Sequence, residues 1–271
     1  MSVGTFTAII NMLLPEPHAG LLSGILFGTR ATLSKELTDA LVTTGTLHII
    51  ALSGMNITIL TSLVGRLFVP LVGRRSASLI TIVIIIMFIL FVGPSPSVIR
   101  AGIMGAITLL AISSGRQYWS LYTLLLATGI MVVLVPTWIT DLSFQLSVLA
   151  TLGIILFGPK SQLQKTNVSL LTQFWQPIES NLHITLAAQV FTIPLIFLQF
   201  HRISLVSPLA NVLIGWTIVP ITVLGFLVAI LGWVWLPIGQ VIAWVAWIVL
   251  EYLVGTVFLV ARLPMASVNF N

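Results

Sequence analysis

Long apolar runs alternate along the chain with short polar breaks. Eight hydrophobic segments stand out, at about 47–68, 78–93, 98–114, 120–136, 143–158, 183–200, 208–231 and 237–261. A helix needs about 20 mostly apolar residues to cross a bilayer, and from Ile203 to Leu250 there is no formal charge. No run alternates residue by residue as a membrane β-strand does. The segments therefore predict helices, which satisfy their own backbone hydrogen bonds in lipid. The third segment is short, and reads either as a tilted span entered by Arg100 or as half of a re-entrant pair with the second. Gly93-Pro94-Ser95-Pro96 breaks the second from the third, Arg116 closes the third, and Pro136 and Asp141 separate the fourth from the fifth. Residues 159–180 form the longest polar loop, and Gly232 and Pro237 divide the last two segments.

The N-terminal part differs. Residues 20–44 mix Leu, Ile and Phe with Arg30, Lys35, Glu36 and Asp39, a pattern that predicts an amphipathic helix at the membrane interface. Residues 1–14 lack the basic region of a cleavable signal peptide. The expected division is an interfacial segment over 1–45 and a polytopic domain over 46–271.

Composition sharpens this. Hydrophobic residues make up 58% of the 271 and charged residues 6%, against about 25% charged in soluble domains. A soluble globular domain, a disordered chain and a peripheral binder are excluded, and the expected class is an all-α polytopic membrane protein. With no cysteine, no disulfide, thiolate metal site or cysteine nucleophile exists. The net charge of +5 rests on few residues and speaks to orientation first. Alternating spans place Arg66, Arg74, Arg75, Arg116, Lys160 and Lys165 on one side, and Arg30, Lys35, Arg202, Arg262 and marginally Arg100 on the other. The first side is expected to be cytoplasmic.

The first segment carries His48, Ser53 and Asn56, which share one broad helical face. Gly54 weakens the helix beside Ser53, and a helix broken there would offer backbone groups to a substrate; polar residues also simply bond neighbouring helices. Arg100 either faces a cavity or partner or snorkels to an interface. Asp141 and Gln145 lie one turn apart, with N-capping the plainer role for Asp141. Glu251 lies well inside the last segment and needs a partner or a cavity. Ser204, Ser207 and Asn211 recur at helical spacing around Pro208, Gln189 and Thr192 precede Pro194, and Pro194 and Pro220 suggest kinks. Among catalytic patterns, His-Glu-x-x-His and the Gly-x-x-x-x-Gly-Lys phosphate loop are absent, and the four histidines are far apart. Ala51-Leu52-Ser53-Gly54 lacks a glycine two before the serine, which speaks against a serine nucleophile. No enzyme activity, cofactor or metal is expected.

The string Gly45-Thr46-Leu47-His48-Ile49-Ile50-Ala51-Leu52-Ser53-Gly54-Met55-Asn56-Ile57 resembles the G-x-x-H-L-L-A-I-S-G-L-H-I signature of the ComEC-type competence family. Arg100-Ala101-Gly102-Ile103-Met104 resembles its R-A-x-x-M, and the segment from Asp141 to Thr151 its d-x-x-F-Q-L-S-F-x-A-T. The segments Gln189 to Leu195 and Ser204 to Asn211 resemble later motifs, and all occur in family order over about residues 15–260. The resemblance implies a channel passing single-stranded DNA across the bacterial cytoplasmic membrane in natural transformation. It also implies a separate nuclease and a cytoplasmic DNA motor as partners. Asn56 stands where the family usually has a second histidine. Two regions typical of relatives are not found, an oligonucleotide-binding-like domain and a metallo-β-lactamase-like domain. The chain thus reads as a short homologue or the membrane domain alone, with no nuclease activity of its own. On this reading His48, Ser53, Gly54, Asn56, Arg100, Gln145 and Asn211 line the DNA path. Asp141, Gln189, Pro194 and Glu251 are structural or gating, with the two acids paired or off the path because they repel phosphate. The competing readings are a transporter of a small solute or ion, an intramembrane enzyme, and an assembly subunit.

Overall fold

A computed structural model describes residues 2–29, 33–50, 54–159, 170–264 and 266–269. The protein is all-α and polytopic. Its helices are α1 (Val3–Leu13), α2 (His18–Phe27), α3 (Lys35–Thr43), α4 (Gly54–Val92), α5 (Pro96–Ser113) and α6 (Ser120–Leu134), then α7 (Leu142–Phe157), α8 (Leu170–Phe200), α9 (Ser207–Val234) and α10 (Leu236–Ala261). Short 3-10 turns occupy Leu47–Ile49 and Pro136–Thr140. Two three-residue strands, β1 (Arg202–Ser204) and β2 (Ser267–Asn269), pair antiparallel with Ile203 opposite Val268. They tie the start of α9 to the segment after α10.

Among the described residues, five helices are long and apolar enough to cross a membrane: α4, α5, α8 from Glu179 on, α9 and α10. The count of eight segments is not reproduced as eight long helices, because α6 and α7 are short and α4 absorbs two segments. At Gly73, φ 77° and ψ 166° interrupt α4, and the chain folds back there. In a straight helix Ile57 and Ile85 would be about 42 Å apart. Both nevertheless pack with Val98 in one cluster, and a Cβ placed on Gly105 would lie 3.8 Å from Ile85 and 3.9 Å from Ile57. Only glycine takes this φ without a steric penalty. The recess at the fold-back joins Gly73, Arg74 and Arg75 to Ser113, Ser114 and Gly115 at the end of α5. This gathers arginines at one end of the bundle, as the charge pattern of the loops requires.

The single amphipathic helix expected over 20–44 is instead two elements. All ten residues of α2 are buried, because Gly20 to Phe27 are apolar or small on every side and the charges begin only after Gly28, whose φ of 72° ends the helix. The amphipathic element is the shorter α3. Ser34 caps it by accepting from the Leu37 N–H, and it buries Leu37, Ala40 and Leu41. Together α1, α2, α3, α9 and α10 form the main hydrophobic core. Small residues set its tightest approaches: a Cβ on Gly225 would lie 2.6 Å from Leu22 Cδ1, and one on Gly239 2.5 Å from Gly232 Cα. Gln240 Nε2 donates to the Leu13 carbonyl at 3.1 Å, closing the end of α1.

Candidate functional site

The site begins where α4 begins. Asn56 is 2% exposed, so α4 starts inside the bundle. Its Nδ2 donates to the Ile25 carbonyl at 2.8 Å. That carbonyl lies in the last turn of α2, where it has no intrahelical partner. Asn56 therefore joins the start of α4 to the end of α2.

Gly54 opens α4 against α5. A Cβ there would stand 3.1 Å from the Ala101 Cβ and 3.4 Å from Arg100 Nη2. Arg100 is in the second turn of α5 and 9% exposed. Its Nε donates to Ser147 Oγ of α7 at 2.8 Å, and its Nη1 meets Met104 Sδ at 3.3 Å. Both partners are neutral. Among the described residues no carboxylate lies within 4.0 Å of the guanidinium, and Nη2 has no hydrogen-bond partner. The geometry thus holds a buried cation with no counter-charge among the described residues, its Nη2 edge turned to the first residue of α4. Ser147 and Met104 were not singled out in the sequence, although both sit inside the motifs quoted for Arg100 and Asp141. The role of Ser147 was hidden because its contact joins residues 47 apart, whereas Met104 lies one helical turn from Arg100 and its helical spacing offered a signal.

His48 lies in the 3-10 turn Leu47–Ile49 that precedes α4 and is exposed. Its Nδ1 donates to the Gly45 carbonyl at 3.1 Å, which leaves Nε2 as an accessible acceptor in the neutral ring. Ser53, the third member of the expected face, lies outside the described residues.

The remaining candidates settle elsewhere. Asp141 caps α7 by accepting from the Phe144 N–H at 2.9 Å, and Gln145 Nε2 donates back to the Ile139 carbonyl at 2.7 Å. Gln189 and Asn211 meet at one oxygen: Ser207 Oγ accepts from Gln189 Nε2 at 3.0 Å and from Asn211 Nδ2 at 3.4 Å. Ser207 also abuts Gly45, where a Cβ would fall 2.9 Å from its Oγ. Pro194 lies within α8. Glu251 finds its partner in His18, whose Nε2 is 2.7 Å from Oε2. The structure thus brings Gly54 to Arg100, and Gln189 to Asn211, but joins neither His48 nor Asn56 to Arg100 by a hydrogen bond.

The family described as "Competence protein" matches residues 25–271. A relative, ComE operon protein 3 of Bacillus subtilis (strain 168), is 26% identical over 204 residues. The match covers 75% of this chain and 25% of that protein, so the chain corresponds to about a quarter of its relative. No solved structure matches it. With a match running from the last turn of α2 through the last strand, and the motifs above placed within it, the chain belongs to the competence protein family.

Proposed function

We propose that this chain forms a conduit through which single-stranded DNA crosses the bacterial cytoplasmic membrane in natural transformation, with the arginine-rich end of the bundle facing the cytoplasm. The observation that carries the reading is the Arg100 guanidinium, buried beside Gly54 with no carboxylate within 4.0 Å among the described residues. A charge buried in a membrane bundle is costly unless a partner or ligand compensates it. A DNA strand brings one negative charge per nucleotide, which such a cation would meet in passing. His48 Nε2 and, from the sequence pattern, Ser53 are assigned to the same path. Asn56, Gln145 and Asn211 are assigned to its walls, since their side chains are already engaged. Asp141, Gln189, Pro194 and Glu251 have structural roles on this reading. The chain acts as a passage and not as an enzyme. A nuclease that degrades the other strand and a cytoplasmic motor that pulls are supplied by other domains or chains.

A start to α4 inside the bundle also suits a secondary transporter, in which broken helices hold a small solute. Flux separates the two. Purified protein is reconstituted into liposomes containing a single-strand-trapping protein, and labelled single-stranded DNA and small anions are offered outside. DNA entry in the wild type, lost in Arg100→Ala and reduced in His48→Ala with both variants folded, is the expected result. Small-solute flux without DNA flux would favour the transporter.

A further inference from the structure

The end of the bundle where α4 folds back carries a recess that the path around Gly54 and Arg100 does not use. Arg74 and Arg75 line it together with Ser113 and Ser114 at the end of α5, and its volume is about 540 Å³. Both arginines are exposed. Val72 and Ile112 form its apolar rim and are exposed as well.

The recess is cationic and has no acid near it in sequence. No Asp or Glu occurs between Asp39 and Asp141, so α4, α5 and α6 bring no counter-charge to the two guanidiniums. Among the described residues no carboxylate lies within 4.0 Å of either. Arg116 follows directly after the lining residue Gly115 and adds a third cation. The turn at the other end of this helix pair, residues 93–95, carries no charge. Recognition of an anion here falls to side chains. The N–H groups of Ser114, Gly115 and Arg116 turn back to carbonyls of α5. The Ser113 hydroxyl donates to the Leu110 carbonyl at 3.0 Å, and the C-terminal dipole of α5 opposes an anion. The donors that remain are the Ser114 hydroxyl and the two guanidiniums, whose planar forks suit phosphate oxygens.

The surroundings specify an amphiphile. α5 has 18 residues, about 27 Å along its axis, close to the roughly 30 Å of a hydrocarbon core. Its end at Ser113 therefore lies at the level of the lipid headgroups. Tyr118 and Trp119, which follow it, are exposed, as aromatic residues are at that level. On the hydrocarbon side of the arginines, Leu67 and Leu71 of α4 are exposed and give acyl chains a surface to lie on. A free phosphate has no use for such a flank, and a polyanion is not drawn to one.

We propose that this recess binds the phosphodiester headgroup of an anionic phospholipid. Arg74 and Arg75 hold the phosphate oxygens, Ser114 donates from the end of α5, and the acyl chains lie along α4 before Gly73. Basic pockets between membrane helices hold anionic headgroups in this way. The lipid ties the fold-back of α4 to α5 and is held whatever crosses the bundle.

Native mass spectrometry of the full chain, titrated in detergent with phosphatidylglycerol or phosphatidylcholine, tests this. The wild type is expected to retain phosphatidylglycerol over phosphatidylcholine. Retention of phosphatidylglycerol should weaken about tenfold in Arg74→Gln/Arg75→Gln, which removes two cations near the headgroup. Ser114→Glu keeps both arginines and sets a carboxylate into the recess; it should weaken retention too, and it decides the matter if the double variant does not fold. Arg262→Gln, just after α10, removes a charge elsewhere and should change nothing. Inorganic phosphate and a single-stranded oligonucleotide, each added in excess, should not displace the lipid. Equal retention of the two lipids, phosphatidylglycerol retention undiminished in the folded recess variants, a loss in Arg262→Gln as large as theirs, or displacement by either competitor would each overturn the proposal.

Discussion

Replacing Arg100 by methionine tests whether the fold itself compensates that charge. Methionine keeps most of the volume and the flexible stem. An arginine inside a membrane helix is disfavoured by about 2.5–3.5 kcal/mol at the helix centre, and Arg100 has no carboxylate within 4.0 Å among the described residues to offset this. Against that gain stands the Nε bond to Ser147 at 2.8 Å, since hydrogen bonds to charged groups contribute about 1.5–3 kcal/mol. The contact of Nη1 with the Met104 sulfur is weaker, because a thioether is a poor acceptor. Ser147 is not stranded by the change, since a helical serine can turn its hydroxyl to the carbonyl four residues before it. The two large terms nearly cancel, and Arg100→Met is expected to change stability by no more than about 1 kcal/mol. Breaking a truly paired buried charge would instead cost about 3–5 kcal/mol. Reversible SDS unfolding in mixed micelles, followed by tryptophan fluorescence, resolves these cases. A loss in the larger range would refute the reasoning, because it would mean that Arg100 is neutralised within the chain and is not held for a ligand. Unaltered stability with DNA flux abolished is the signature of a charge kept for function.

Five further substitutions, at four positions, probe the frame of the bundle. Gly153→Ala would set a Cβ 2.2 Å from the Ala187 carbonyl oxygen, forcing α7 from α8 at a cost of about 1–3 kcal/mol; Gly129→Ala, with nothing within 4 Å, should stabilise α6 by about 0.5–1 kcal/mol, and equal effects in the same unfolding assay would contradict the packing. Asn56→Leu strands the Ile25 carbonyl and should cost about 1–3 kcal/mol, whereas Asn56→His keeps an N–H donor and should lose less; the order of the two unfolding midpoints is the check. Gly45→Ala puts a side chain at φ +69° with its Cβ 2.9 Å from Ser207, so a loss above about 1–2 kcal/mol is expected, and a thermal midpoint equal to wild type would argue against the left-handed turn.

Much of the fold was legible because lipid imposes one rule, continuous apolar helix with polar punctuation. The break between the first two segments was visible as polar sequence around Arg66, Arg74 and Arg75, and the chain turns there at Gly73. The N-terminal region departs from a single amphipathic helix for a local reason. The charges after Gly28 follow an apolar run in sequence, but the two belong to different helices separated by a left-handed glycine. Asp141 as an N-cap could be foreseen, since the capping bond lies within one turn. The roles of Asn56, Ser147 and His18 could not. Each depends on a partner 31 or more residues away, and hydrophobic periodicity carries no information about which carbonyl or carboxylate arrives opposite a given side chain.

Satisfaction of hydrogen bonds, more than polarity, divides these residues. A sequence marks every intramembrane polar group alike, but inside a bundle an engaged group contributes to the fold while a disengaged one only costs. Asn56 closes the end of α2, Gln145 the turn before α7, and Gln189 and Asn211 share one hydroxyl. To expose any of them to a passing strand, a bond within the frame must first break. Arg100 Nη2 and His48 Nε2 need no such rupture, having no partner among the described residues. A polyanion crossing this protein would therefore follow the beginning of α4 and the face of α5 against α7. It would pass by the Ser207 junction and stay away from the carboxylate of Glu251, which is already engaged with His18.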